Sequence, residues 1–132
     1  MYYNDFVLTL YYVKGDVLMP YIDAKFSVKI PDEKEKSLAE KITNTITLIP
    51  GKTPSSLMVN LQDECKLYFR GTNENPCAIF EVKIFGSSTK EAYTNLTARL
   101  CQIANEELGI EGKNVYVKFD EVALWGMDSF MF

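Results

Sequence analysis

The sequence predicts an α+β domain in which two βαβ repeats form one four-stranded sheet with two helices on one face. Three observations carry that reading. Apolar residues alternate with period two in four separate segments. Two helical segments with period 3.6 lie between the first and second and between the third and fourth of them. A loop-rich stretch, residues 63–76, joins the two halves, and each half opens with a proline followed by a strand, Pro20-Tyr21 and Pro76-Cys77.

In the first half, "YIDAKFSV" puts Ile22, Ala24, Phe26 and Val28 on one face and Tyr21, Asp23, Lys25 and Ser27 on the other. Pro31 stops this strand. Asp32 and Glu35 then form a D-x-x-E start with negative charge at a helix N-terminus. Leu38, Ile42, Ile46 and Ile49 continue at helical spacing, and "PGKTP" at 50–54 ends the helix. "SLMVNL" at 56–61 reads as the second strand, with Leu57, Val59 and Leu61 in phase.

The connector "DECKLYFRGTNENP" has room for a short hairpin arm around residues 67–69. "CAIFEVKIF" alternates Phe80, Val82 and Ile84 against Ile79, Glu81 and Lys83, and Gly86 breaks it. Ser88 and Glu91 form an S-x-x-E capping box. Ala92, Leu96, Leu100, Ile103 and Leu108 make an amphipathic helix of about five turns. Gly109 stands where a helix-ending glycine belongs, and "NVYVKF" at 114–119 is the closing strand. Right-handed crossovers place both helices on one face of the sheet. The other face carries Tyr21, Met58, Ile79 and Tyr116, which predicts burial against further copies of the chain.

The composition bounds the function. The 132 residues suffice for one domain with a core, and 47% hydrophobic with 24% charged residues is a globular balance. A net charge of −4 argues against nucleic acid. Histidine is absent, which excludes Ser-His, Cys-His and His-ligated metal chemistry. Cys65, Cys77 and Cys101 form no C-x-x-C pair and read as free, buried thiols in a reducing compartment. Residues 1–18 make a poor signal peptide, because no basic region precedes the apolar run and Asp5 interrupts it; they are also too short to span a bilayer. The expectation is a cytoplasmic protein whose release, where it occurs, uses no signal peptide.

These segments, in this order, resemble the macrophage migration inhibitory factor family and its tautomerase relatives. The resemblance rests on Met19-Pro20 opening a strand, "GKTP" after the first helix, "NPCAIFEVKIFG" as the third strand, "NVYVKF" as the fourth and the tail "WGMDSFMF". It covers residues 19–132 and none of 1–18, so the expected domain is 19–132 and residues 1–18 are an extension. It implies a homotrimer whose sheets form a central barrel.

The resemblance also implies a catalytic N-terminal proline, which falls on Pro20. The family's lysine falls on Lys52 and its carboxylate-holding backbone amide on Phe85. A pocket tyrosine from the neighbouring subunit falls on Tyr116. As residues alone, Pro20 reads as a strand-starting proline and Lys52 as a solvated lysine beside a helix C-terminus. Lys118, where the family has asparagine, is open between a solvated edge charge and a second carboxylate anchor. Trp125, Met127 and Phe130 are candidate apolar walls, or simply intersubunit core. Ser56 replaces a pocket tyrosine. Cys77-Ala78-Ile79-Phe80 lacks the C-x-x-C of the vertebrate cytokine, so thiol-disulfide activity is not carried over.

The implied activity is keto-enol tautomerisation of aryl α-keto acids of the phenylpyruvate type, with no metal or cofactor. The chemistry suits a secondary amine that takes a proton α to a carbonyl and returns it. A free α-amine with a pKa of roughly 8 is about one-tenth neutral at pH 7, and lowering it by about one unit brings that to about half. An apolar pocket and a nearby cation both act in that direction. The rival readings are a cytokine-like protein that binds a receptor with a vestigial pocket, and a chain inactivated by residues 1–18. Hydrolytic and decarboxylating reactions of the same superfamily rank lower. Lys14-Gly15-Asp16 can be encoded by a purine-rich run just upstream of Met19, which suggests that translation of the natural protein starts at Met19.

Overall fold

In the computed structural model, residues 19–132 are described; the expected extension, residues 1–18, lies outside them. The strands are β1 (Pro20–Phe26), β2 (Met58–Gln62), β3 (Ala78–Phe85) and β4 (Val115–Val122), and the helices are α1 (Asp32–Asn44) and α2 (Lys90–Leu108). A two-stranded hairpin, β5 (Gly126–Met127) and β6 (Phe130–Met131), follows. The sheet order is β2-β1-β3-β4. β1 runs parallel to β2 and β3 parallel to β4, while β1 and β3 pair antiparallel at the centre. This is the α+β architecture of two βαβ repeats that the sequence predicts.

The alternation works as expected. Ile22, Ala24 and Phe26 of β1 and Phe80, Val82 and Ile84 of β3 are completely buried. They meet Leu38 and Ile42 of α1 and Leu96, Leu100 and Ile103 of α2 in one continuous core. Phe26 and Phe80 pack edge to face across the central pair, with ring centroids 5.6 Å apart. Their outward neighbours Asp23, Lys25, Glu81, Lys83, Lys118 and Asp120 pair along and across strands on the open face. That face is therefore a charge ladder with apolar ends rather than a uniformly apolar surface. Met58 and Tyr116 at those ends are strongly exposed.

Three local expectations are corrected. The first α-helix stops at Asn44, and Thr45–Leu48 form a 3-10 turn instead of continuing to Ile49. The Thr45 and Thr47 hydroxyls donate back to the carbonyls of Ile42 (2.6 Å) and Asn44 (3.0 Å), competing with the helical ladder. Pro50 further disfavours helix at Ile49, yet Ile46 and Ile49 stay buried. Neither start signal supplies the cap, although Asp32, Glu33 and Glu35 do put negative charge in the first turn of α1. Pro31 occupies the cap of α1 with no side-chain bond, and Asp32 lies inside the first turn. α2 is capped by Thr89, whose hydroxyl accepts the Ala92 N–H at 3.1 Å. Ser88 instead gives its N–H to the Tyr93 hydroxyl at 2.9 Å. The hairpin arm around 67–69 reduces to a single bridge between Phe69 and Thr72.

Gly109 ends α2 at φ 67°, the left-handed conformation anticipated for it. Asp63 accepts the Ile30 N–H at 2.8 Å, tying the approach to α1 to the connector that follows β2.

Truncating the central aromatic pair tests the core. Phe80→Ala is expected to lose about 3–5 kcal/mol, read from urea unfolding at fixed protein concentration. The exposed Tyr68→Ala is expected to stay within about 0.5 kcal/mol.

Candidate active site

The central pairing fixes where the site lies. In the antiparallel register Pro20 stands opposite Ile84 and Phe26 opposite Ala78. The beginning of β1 and the end of β3 therefore share one end of the sheet. Phe85 is the last residue of β3, and its N–H donates to the Met19 carbonyl at 2.9 Å. Gly86, at φ 91°, turns the chain away immediately after.

Lys52 reaches the same residue from the turn after α1. Its ammonium Nζ lies 3.4 Å from the Phe85 carbonyl oxygen, and the side chain is only 4% exposed. Burial, with no carboxylate partner among the described residues, disfavours the charged form, and the pKa falls from the ordinary 10.5 to about 8. At pH 7 the group is still mostly an ammonium ion. It is a desolvated cation, and such a cation attracts an anion more strongly than one in water.

A cavity of about 430 Å³ opens beside Pro20, lined by Met19, Pro20, Tyr21, Ser56, Met58, Trp125, Gly126 and Met127. That volume suits a small aromatic ligand. Trp125 and Met127 reach it because the tail folds back as the β5–β6 hairpin. Asp128 and Ser129 take φ of 51° and 66° at its turn, the left-handed pair that a two-residue hairpin needs. Reciprocal bonds between Trp125 and Phe132, 2.8 and 3.3 Å, close it. The Phe132 ring lies 6.4 Å from that of Phe85 and 6.2 Å from that of Phe130, so the tail is anchored to the end of β3.

A larger cavity of about 570 Å³ lies under the connector, lined by residues such as Ser27, Glu64, Lys66 and Glu74. It is open, polar and at the Phe26 end of β1, away from Pro20. The Pro20 cavity has the apolar walls and the adjacent desolvated cation, and it is the better site. Among the described residues, no group of three or more His, Cys, Asp or Glu side chains gathers to hold a metal.

The sequence model of the macrophage migration inhibitory factor (MIF) family matches residues 19–129. The chain belongs to the MIF family. No curated protein matches it, but many solved structures do. MIF2 of Leishmania major is 23% identical with a TM-score of 0.79, over 86% of this chain and 97% of its own. The MIF-like protein of Entamoeba histolytica is 27% identical with a TM-score of 0.77, over 86% and 99%. A MIF homologue from Prochlorococcus marinus is 25% identical with a TM-score of 0.76, over 85% and 98%. The family match begins at residue 19, where the resemblance read from the sequence begins.

Of the residues singled out beforehand, Pro20, Trp125 and Met127 meet around one cavity, and Lys52 joins Phe85 beside it. Phe130 belongs to the same hairpin, opposite Met127 in register. Tyr116 does not reach this cavity within its own chain. It pairs with Ile79 in register, five residues along β3 from Ile84, which is roughly 16 Å at strand spacing. There Tyr116 packs edge to face on Phe69, centroids 4.9 Å apart, against a small apolar hollow containing Cys77. Lys118 sits on the open face, 57% exposed and 3.4 Å from Asp120. Tyr21 and Met58 were not foreseen as cavity walls. Their signal was present, since they are the outward residues at the starts of two strands that pair in parallel register. All three cysteines, Cys65, Cys77 and Cys101, are free thiols. No described helix is long and apolar enough to cross a membrane.

The depressed Lys52 pKa sets a stability test. Below about pH 8 the native state carries a buried charge that the unfolded chain holds in water, which opposes folding. Between about 8 and 10.5 the native state sheds this proton before the unfolded state does, so that penalty fades as pH rises. Lys52→Met is therefore expected to raise the urea midpoint at pH 7, with the advantage shrinking by pH 10. A variant less stable than the parent at pH 7 would contradict this account of Lys52.

Proposed function

We propose that this MIF-family chain is a keto-enol tautomerase acting on aryl α-keto acids of the phenylpyruvate type once the residues ahead of Pro20 are absent. One observation carries the reading. Pro20 lines an apolar cavity with Trp125 and Met127, and the Phe85 backbone that bonds its neighbour Met19 also carries the buried Lys52 ammonium on its carbonyl. A free Pro20 is a secondary amine. In its neutral form it takes a proton from the carbon α to the keto group, leaving an enolate. The enolate oxygen then takes a proton from water to give the enol while Pro20 returns its proton to the solvent, and in the ketonising direction the Pro20 ammonium gives its proton to carbon as the enol oxygen loses one to water. Lys52 and the Phe85 N–H bind the carboxylate and steady the developing negative charge. Trp125, Met127 and Phe130 supply the dry wall that keeps the amine neutral. Lys118 is the candidate for a second carboxylate anchor. No cofactor enters these steps.

The active assembly is proposed to be a homotrimer. Tyr116 lies at the far end of its own sheet, so a neighbouring copy must bring it to the Pro20 cavity. Met58, Tyr116, Leu124 and Met131 are all at least 60% exposed in the isolated chain, apolar area that an interface would cover.

The test is phenylpyruvate ketonisation by a chain beginning at Pro20. Pro20→Gly is expected to lose at least 100-fold in kcat/KM, in line with removal of a general base. The pH profile is expected to be bell-shaped: activity rises as the Pro20 ammonium loses its proton and falls above about pH 8 as Lys52 loses its charge. Absence of turnover by a folded chain with free Pro20 would favour the partner-binding reading, in which the pocket is vestigial.

Mixing tests the shared site. Pro20→Gly and Tyr116→Ala subunits, each weak alone, are expected to regain activity when refolded together, because some interfaces then pair an intact Pro20 with an intact Tyr116. No recovery from mixed trimers would place Tyr116 outside the site.

A further inference from the structure

The Phe85 N–H that the tautomerase reading assigns to substrate has a partner within the described chain. It donates to the main-chain carbonyl of Met19 at 2.9 Å, and Met19 is only 3% exposed. This is the last rung of the β1–β3 ladder. Pro20 stands opposite Ile84 as a non-hydrogen-bonded pair, so its own nitrogen faces away from β3 and the bond falls on the carbonyl just before it. The Met19 carbonyl carbon is bonded to the Pro20 nitrogen, and amide geometry puts its oxygen about 2.3 Å from that nitrogen. One oxygen atom thus lies against the atom assigned as base and also fills the hydrogen bond assigned to substrate.

We propose that the Met19 carbonyl is an internal occupant of the substrate's oxygen site, so that one cut at Met19-Pro20 frees two groups, the Pro20 amine and the Phe85 N–H. The inference rests on the tautomerase reading and adds a binding switch to it. The cut is a hydrolysis by a peptidase. Water adds to the Met19 carbonyl carbon, the C–N bond breaks, Met19 leaves as a carboxylate and Pro20 becomes a protonatable secondary amine. The Phe85 N–H then lacks its ladder partner. A backbone donor in that state seeks a new acceptor, and a carboxylate oxygen is a stronger one than the amide oxygen it replaces. Any acyl group left on Pro20 would therefore block binding as well as catalysis. An alkyl group, which brings no oxygen, would leave the binding site open.

Four forms separate these effects: the full 132-residue chain, a chain from Pro20, and that shorter chain with Pro20 either N-acetylated or N-methylated. The latter two are accessible by ligating a synthetic segment at Cys65. The shorter chain carries the whole fold, since relatives matched over 97–99% of their own length align to about 86% of this chain. Amide hydrogen exchange at Phe85, without ligand, is the direct readout. Exchange is expected to be at least tenfold slower in the full and acetylated forms than in the free and methylated ones. Phenylacetate, a probe that is not turned over, is expected to bind the latter two at least tenfold more tightly and to shift the Phe85 amide resonance. Equal exchange and equal probe affinity in acetylated and methylated forms would overturn the proposal, as would a free form that does not bind the probe. Phenylpyruvate turnover by the free form is scored separately. Binding without turnover removes the proline-base reading and leaves the switch standing. Turnover with an unprotected Phe85 amide in the full chain removes the switch and leaves the base.

Discussion

The antiparallel pairing of β1 with β3 is the constraint on which the rest depends. It joins two βαβ halves that each contain only a parallel pair, and parallel pairs cannot close a core alone. Its register brings Phe26 onto Phe80 and Ile22 opposite Val82, completing the inward face that both helices cover. The same register carries Pro20 to Ile84 and the Phe85 N–H to the residue before Pro20. A slip of one residue would turn every inward side chain outward. It would also detach the start of β1 from the end of β3. Core and site are thus two consequences of one alignment.

Around that alignment the protein places a cation at some cost. A lysine buried to 4% exposure, with a single backbone carbonyl at 3.4 Å, opposes folding at neutral pH. Elsewhere the charges are paired in the open. Lys83 lies between Glu81 and Asp120, and Lys41 meets Glu107. Such exposed pairs contribute little to stability and cost little. This strongly desolvated lysine lies on Phe85, beside the apolar cavity that Pro20 and Trp125 line, an arrangement that stability alone does not favour. Perturbed groups of this kind concentrate where chemistry happens.

Much of the fold was legible in the residues. Alternation in four segments located the four strands to within a few residues, because a half-buried strand must alternate. The helices were located by period, but their ends were not. The threonine-rich "TNTITLIP" preserves helical spacing of Ile42, Ile46 and Ile49, while its hydroxyls and Pro50 convert the last turn to 3-10. Thr89 and Ser88 are adjacent hydroxyls, and only the backbone path decides which one caps. The hairpin at Gly126–Met131 was not foreseen, because Asp-Ser is a weak signal for two consecutive left-handed residues; the tail takes that shape while packing on Phe85.

The candidate site divides in the same way. The sequence by itself determined the alternating faces, the two-fold repeat, the absence of histidine chemistry and, through resemblance, the list that includes Pro20, Lys52, Phe85 and Trp125. Those are matters of residue type and order. Only the tertiary structure decided which of them share a cavity. It put Tyr21, Ser56 and Met58 beside Pro20 and left Tyr116 at the other end of the sheet. It also showed the Phe85 N–H already held by Met19. The physical reason is register: spacing along a strand says which face a side chain takes, whereas the pairing between distant strands says which end of the sheet it reaches and what it meets there.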